Sequence, residues 1–112
     1  MTSFESWFET LTGHAPHSWQ SALAGDTEPR SRVIRIPTGF GKTLGVLAAW
    51  MHHRVVGRDV RWPRRLVWTL PMRVLAEQTA SVARDALNRL GALWEPGTPH
   101  AGKVGVHMLM GG

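Results

Sequence analysis

The sequence predicts an α/β domain, a parallel sheet of about three strands with flanking helices, preceded by two N-terminal helices. Three short segments rich in β-branched or aliphatic residues read as strands: "VIRI" at 33–36, "LVWTL" at 66–70 and "VGVHMLM" at 104–110. Two helical patterns, Lys42 to Arg54 and Arg73 to Leu90, lie between them. A glycine-bearing turn, "PTGFGKT", joins the first strand to the first of those helices. Near-continuous apolar strands alternating with helices indicate parallel βαβ units with right-handed crossovers.

Phe4, Trp7, Phe8 and Leu11 recur at i, i+3, i+4 and i+7, which predicts an amphipathic helix over residues 3–11. Thr2 and Glu5 have the spacing of a capping box, and Gly13 is the stop. Pro16 suits the first turn of a second short helix, Pro16 to Ala24, which Gly25 ends. "GDTEPRS" is then a loop. The last helical pattern sets Leu75, Thr79, Val82, Ala86 and Leu90 along one face.

A chain of 112 residues suits one small domain and can bury about two-thirds of its unfolded surface. Hydrophobic residues are 43% of it, which excludes a disordered class. Its lack of cysteine excludes disulfide staples and thiolate metal sites and fits a reducing compartment, so a cytoplasmic location is expected. The N-terminus "MTSFESWFETLTG" has Glu5 and Glu9 where a secretory leader carries positive charge. The longest apolar run, Leu44 to Met51, is far short of the roughly 20 residues that span a bilayer, so no membrane partner is expected. Thirteen Lys and Arg against eight Asp and Glu give a net charge of +5, which favours polyanionic partners.

The turn after "VIRI" leads into a helix, the context that a phosphate-binding loop requires. Gly39 and Gly41 let the backbone turn tightly and aim successive N–H groups at an anion, and the helix beginning near Lys42 adds its positive dipole end. In that reading Thr38, Gly39, Phe40 and Gly41 surround the phosphates of ATP, Lys42 reaches the β- and γ-phosphates, and the Thr43 hydroxyl ligates Mg²⁺. Ile36 stands where the general pattern has glycine, and Phe40 can equally be loop filler.

"LPMRVLAEQT", Leu70 to Thr79, lies where the second strand would meet its helix, about 30 residues beyond the glycine-rich turn. Pro71, Arg73, Leu75, Ala76 and Gln78 resemble the Pro-Thr-Arg-x-Leu-Ala-x-Gln element of superfamily 2 helicases, with Met72 in place of the threonine that contacts nucleic-acid backbone. "PHSWQ" at 16–20 resembles that family's adenine-reading element, which would assign Gln20 to the base. "LMGG" resembles its next strand-end element, which would place Gly111 and Gly112 against nucleic-acid backbone. Singly, Trp19-Gln20 also fits helix packing, and Gly111-Gly112 a plain turn. Together these elements resemble the start of the CRISPR-associated helicase-nuclease of type I systems, particularly subtype U.

That resemblance implies residues 1–32 as a helical segment with the adenine-reading element. Residues 33–112 would be the first part of a RecA-like P-loop domain, cut before the Asp-Glu motif. No Asp-Glu dipeptide occurs in the chain, so it should not hydrolyse ATP alone. The implied role is part of an ATP-dependent DNA helicase or translocase. ATP and Mg²⁺ would be its cofactors, Lys42 and Thr43 its catalytic residues, and Pro71, Arg73, Gln78, Gly111 and Gly112 its contacts to single-stranded DNA. Its partners would be the rest of the helicase and a CRISPR surveillance complex. A short non-catalytic P-loop binding module and a small P-loop kinase are the alternatives.

A parallel sheet would gather the three motif-bearing strand exits at one edge. It would send Arg54, Arg58, Arg61, Arg64 and Arg65 to the opposite one, as helix C-terminal charge and a solvated loop. His14 with His17, and His52 with His53, lack companion Cys or carboxylate ligands, so no metal site is expected from them.

Overall fold

The computed structural model describes residues 3–35 and 42–109. The chain divides into two compact units, Met1–Leu66 and Val67–Gly112.

The first unit is built on three helices: α1 (Phe4–Thr12), α2 (Ser18–Ala24) and α3 (Lys42–Trp50). Thr2 lies outside the described residues; Ser3 caps α1, its hydroxyl accepting from the Ser6 backbone N–H at 3.2 Å, and Glu5 sits in the first turn where the helix dipole favours an anion. The helix stops at Gly13, whose φ of 82° lets its N–H return to the Glu9 carbonyl. Phe4, Phe8 and Leu11 form its buried stripe. Phe4 and Phe8 pack with Ala24, Ala48 and Ala49, flanked by Trp7, Leu23 and Leu44.

Helix α2 starts at Ser18, two residues beyond Pro16, because the Gln20 side chain reaches back to cap the His17 N–H at 2.8 Å. It packs on α3 at Gly45. A Cβ there would lie 2.4 Å from the Trp19 ring and 2.8 Å from Gln20 Cγ, so glycine is what permits the close approach.

The helical pattern predicted over Lys42 to Arg54 changes register partway. Beyond Trp50 it continues as a π-helical turn, Met51–Val56, with the Gly57 N–H bonded to the His52 carbonyl at 2.9 Å. That wider turn sets His52 against Phe4 and Trp7, and stacks His53 on Trp62 at 4.3 Å. His53 also bonds the Ala24 carbonyl, and the Trp50 indole N–H donates to the Pro63 carbonyl at 2.7 Å.

The second unit holds α4 (Arg73–Leu90), with the bounds that its periodicity predicts. Gly91 caps it at φ 73°, and the Ala92 N–H reaches the Leu87 carbonyl. Ala80, Ala86, Leu87 and Ala92 are buried. Residues 93–104 form a closed loop: Leu93 and Val104 make an isolated parallel bridge, and the Trp94 ring stacks on His100 at 4.2 Å.

The predicted parallel sheet is corrected. Among the described residues there is no strand, so neither the RecA-like α/β class nor a sheet of about three strands is present. The physical reason lies in the segments themselves. Val33 is 81% exposed, Val67 83% and Leu109 95%, so their apolar side chains cover no core. β-propensity expresses fit to a pleated, half-buried surface, and a segment without a partner strand has no such surface to fit. The structure is helical. Among the described residues, no helix is long and apolar enough to cross a membrane.

Candidate nucleic-acid interface

The residues singled out from the sequence fall in both units. In the first, Gln20 is buried to 2% exposure, and its carbonyl oxygen accepts from the His17 N–H. Lys42 is exposed at the first position of α3, and Thr43 beside it is half-buried. Packing of α2 on α3 thus places Gln20 on the helix that covers Gly45, three residues beyond Lys42. Thr38, Gly39, Phe40 and Gly41 lie outside the described residues, as do Gly111 and Gly112. In the second unit, Pro71, Arg73 and Gln78 are exposed about the start of α4, and Arg73 Nε donates to Glu77 at 3.1 Å. No group of three or more His, Cys, Asp or Glu that could hold a metal ion occurs among the described residues.

The first unit's charge is concentrated elsewhere. Residues 54–65 hold five arginines and one acid, Asp59, a net of +4 out of the chain's +5. The π-helical turn ends at Val56, Gly57 follows it, and the chain then folds through a tight turn that Asp59 organises. The Asp59 N–H donates to the His53 carbonyl at 2.9 Å, and the Asp59 carbonyl accepts from the Trp62 N–H at 3.1 Å and from Arg54 at 3.4 Å. Its carboxylate accepts from the Arg61 backbone N–H and Nε, both at 3.0 Å, and from Arg61 Nη2 at 2.8 Å.

These bonds from Arg61, the side-chain ones foremost, hold the Asp59 carboxyl down at about 2 and raise the Arg61 guanidinium above its ordinary range. Asp59 therefore stays ionised at any physiological pH, and Arg61 is committed to it. Arg58, Arg64 and Arg65 are exposed and make no ion pair among the described residues.

The sequence pattern sends the basic cluster to the far edge of a sheet. With no sheet among the described residues, that placement has no basis, and the cluster carries a net +4 with Arg58, Arg64 and Arg65 exposed.

No family model and no solved structure matches the chain. Over 41 residues it is 39% identical to the HTH-type transcriptional regulator AlkS of Pseudomonas putida and 37% identical to that of Ectopseudomonas oleovorans. The matched stretch is 37% of this chain and 5% of either regulator, so the chain spans only a small part of these relatives.

These similarities and the helical fold correct the superfamily 2 and CRISPR-associated helicase assignment. The ATP-binding P-loop motor falls with it, and so do the P-loop module and the kinase. Each required a phosphate loop leading from a sheet strand into a helix, and the described residues contain no strand.

Proposed function

We propose that this chain is a DNA-binding segment that holds duplex phosphates through Arg58, Arg64 and Arg65. The observation that carries this reading is the net +4 of residues 54–65, displayed on a turn whose one acid is already occupied by Arg61. Clustered arginines neutralise phosphates and release condensed counterions, which is the main source of sequence-independent affinity. The similarity to proteins named HTH-type transcriptional regulators supports DNA as the polyanion.

A helix-turn-helix reads bases from its second helix. Here α2, "SWQSALA", carries no Lys, Arg or Asn, and its Gln20 is buried. The proposed contact is therefore made by the arginine-bearing turn and not by α2.

Fluorescence anisotropy with a labelled duplex, read across salt concentration, tests the proposal. Each phosphate contact adds about 0.9 to the slope of log affinity against log salt, so changing Arg58, Arg64 and Arg65 together to Gln should flatten it by about 2.7. Circular dichroism confirms that the helices persist. Failure of the unaltered chain to bind at low salt, or an unchanged slope in the triple variant, would refute the reading.

A further inference from the structure

We infer that the turn Gly57–Trp62 enters the minor groove of A·T-rich duplex DNA, with Arg58 and Val60 at its tip; this rests on the DNA-binding reading and specifies its target. Three observations on the turn converge.

The turn is fixed at both ends. Trp62 is buried and stacks on His53 at 4.3 Å with the rings nearly parallel, and Pro63 is tied to the Trp50 indole. On the other side, Gly57 and Asp59 bond back to the His52 and His53 carbonyls. Such a turn projects its side chains without the ordering cost that a loose loop meets on binding.

Arg58 holds the one non-glycine backbone with positive φ among the described residues, 52°. A turn serving only to reverse the chain would favour glycine there, since the left-handed region penalises a Cβ. Strain kept at an exposed arginine points to a use for the side chain.

Val60, two residues beyond Arg58, is 84% exposed, with Arg61 drawn aside onto Asp59. Minor-groove binders use basic side chains and frequently apolar wedges as well, and this turn exposes Arg58 and Val60. The arginine seeks the enhanced negative potential of narrow A·T tracts, and the apolar side chain presses on the base steps. Scale agrees, because the minor groove is about 6 Å wide and excludes an α-helix of about 10–12 Å but admits a tight turn.

Anisotropy with two duplexes of equal length, one an A-tract and one of alternating G·C, separates the possibilities. The unaltered chain should prefer the A-tract by roughly fivefold or more, the scale of a single mismatched base pair. Arg58→Gly suits the left-handed backbone, so it should keep the helical circular dichroism and weaker binding to both duplexes while losing the preference. Arg58→Asn, which also tolerates that conformation, is the second variant. Equal affinity of the unaltered chain for both duplexes, or a preference that survives both substitutions, overturns the minor-groove inference and leaves phosphate binding standing. Binding to neither duplex overturns both.

Discussion

Arginine is used differently on α4 and on residues 54–65. On α4, Arg73 pairs with Glu77, Arg89 pairs with Asp85 one turn away, and Arg84 donates to the Val106 carbonyl. Each is engaged within its own unit, and exposed pairs of that spacing contribute about 0.3–0.5 kcal/mol to the helix. On residues 54–65, one acid serves five arginines, and Arg61 takes both its carboxylate oxygens. The same side chain is structural where carboxylates share its helix face and available where they do not. Net charge alone cannot tell these apart; the position of the counter-charge can.

The sharpest way to break this contrast is to remove the core under each region. Phe8 is buried to 3% exposure against Phe4 and the α3 alanines, so Phe8→Ala should lower the stability of the first unit by about 3–5 kcal/mol, read from the urea midpoint, and DNA binding should fall with it. Leu87, at 1% exposure, is the equivalent anchor of the second unit. Leu87→Ala should cost about 2–5 kcal/mol there and leave the salt slope of DNA binding unchanged. Loss of DNA binding in Leu87→Ala at temperatures where the first unit stays folded would show that α4 also serves the nucleic acid.

A smaller effect is expected where α2 meets α3. Alanine is ordinarily favoured over glycine in a helix by about 1 kcal/mol, yet Gly45→Ala should destabilise by about 1–3 kcal/mol, because the new Cβ would fall on the Trp19 ring and Gln20 Cγ. Stabilisation in a urea titration would mean that α2 can move away freely.

Gly45 also marks the boundary of what the sequence discloses. The helices were legible in part: the Phe4, Phe8, Leu11 stripe of α1 and the glycine after α2 are local signals. The Leu75, Thr79, Val82, Ala86, Leu90 face gives the bounds of α4 but not its buried side, which Ala80, Ala86 and Leu87 form while Leu75 and Val82 are exposed. The strands were not, because "VIRI" and "LVWTL" have β composition without anything local to say whether a partner strand exists. The π turn at Met51–Val56 has no local signal, and the need for glycine at 45 is set by Trp19, 26 residues earlier in the chain. The arginine cluster is plain in the sequence; which of its arginines stand exposed is set by the turn at Asp59.

A change of opposite sign is expected at Arg58. Its φ of 52° sits in the region that costs a residue with a Cβ about 1–2 kcal/mol, so Arg58→Gly should raise stability by up to about 1 kcal/mol once glycine's greater unfolded-state freedom is set against the gain. A variant that gains melting temperature while losing DNA affinity would place this residue on the functional side of the contrast. A loss of both would make it a structural arginine like Arg73 and Arg89.

The smallest effect sharpens the comparison from the acid's side. Arg61 lowers the Asp59 carboxyl from its ordinary 3.8 to about 2, so the folded chain holds the proton less tightly than the unfolded one. By linkage the carboxylate's contribution to stability is fully present above the unfolded value and is lost as pH falls through about 3.8 towards 2. Because Asp59 and Arg61 reach solvent, salt screens the pair, and the resulting shift in melting temperature should be slight. The difference in melting temperature between the unaltered chain and Asp59→Asn should therefore stay constant from neutral pH down to about 5 and shrink below 4. Asp59→Asn also removes the charge that holds Arg61 aside, so a fourth guanidinium becomes available and the salt slope should steepen by up to about 0.9. A flatter slope would mean that the geometry Asp59 imposes on the turn matters more to the DNA than the arginine it withholds.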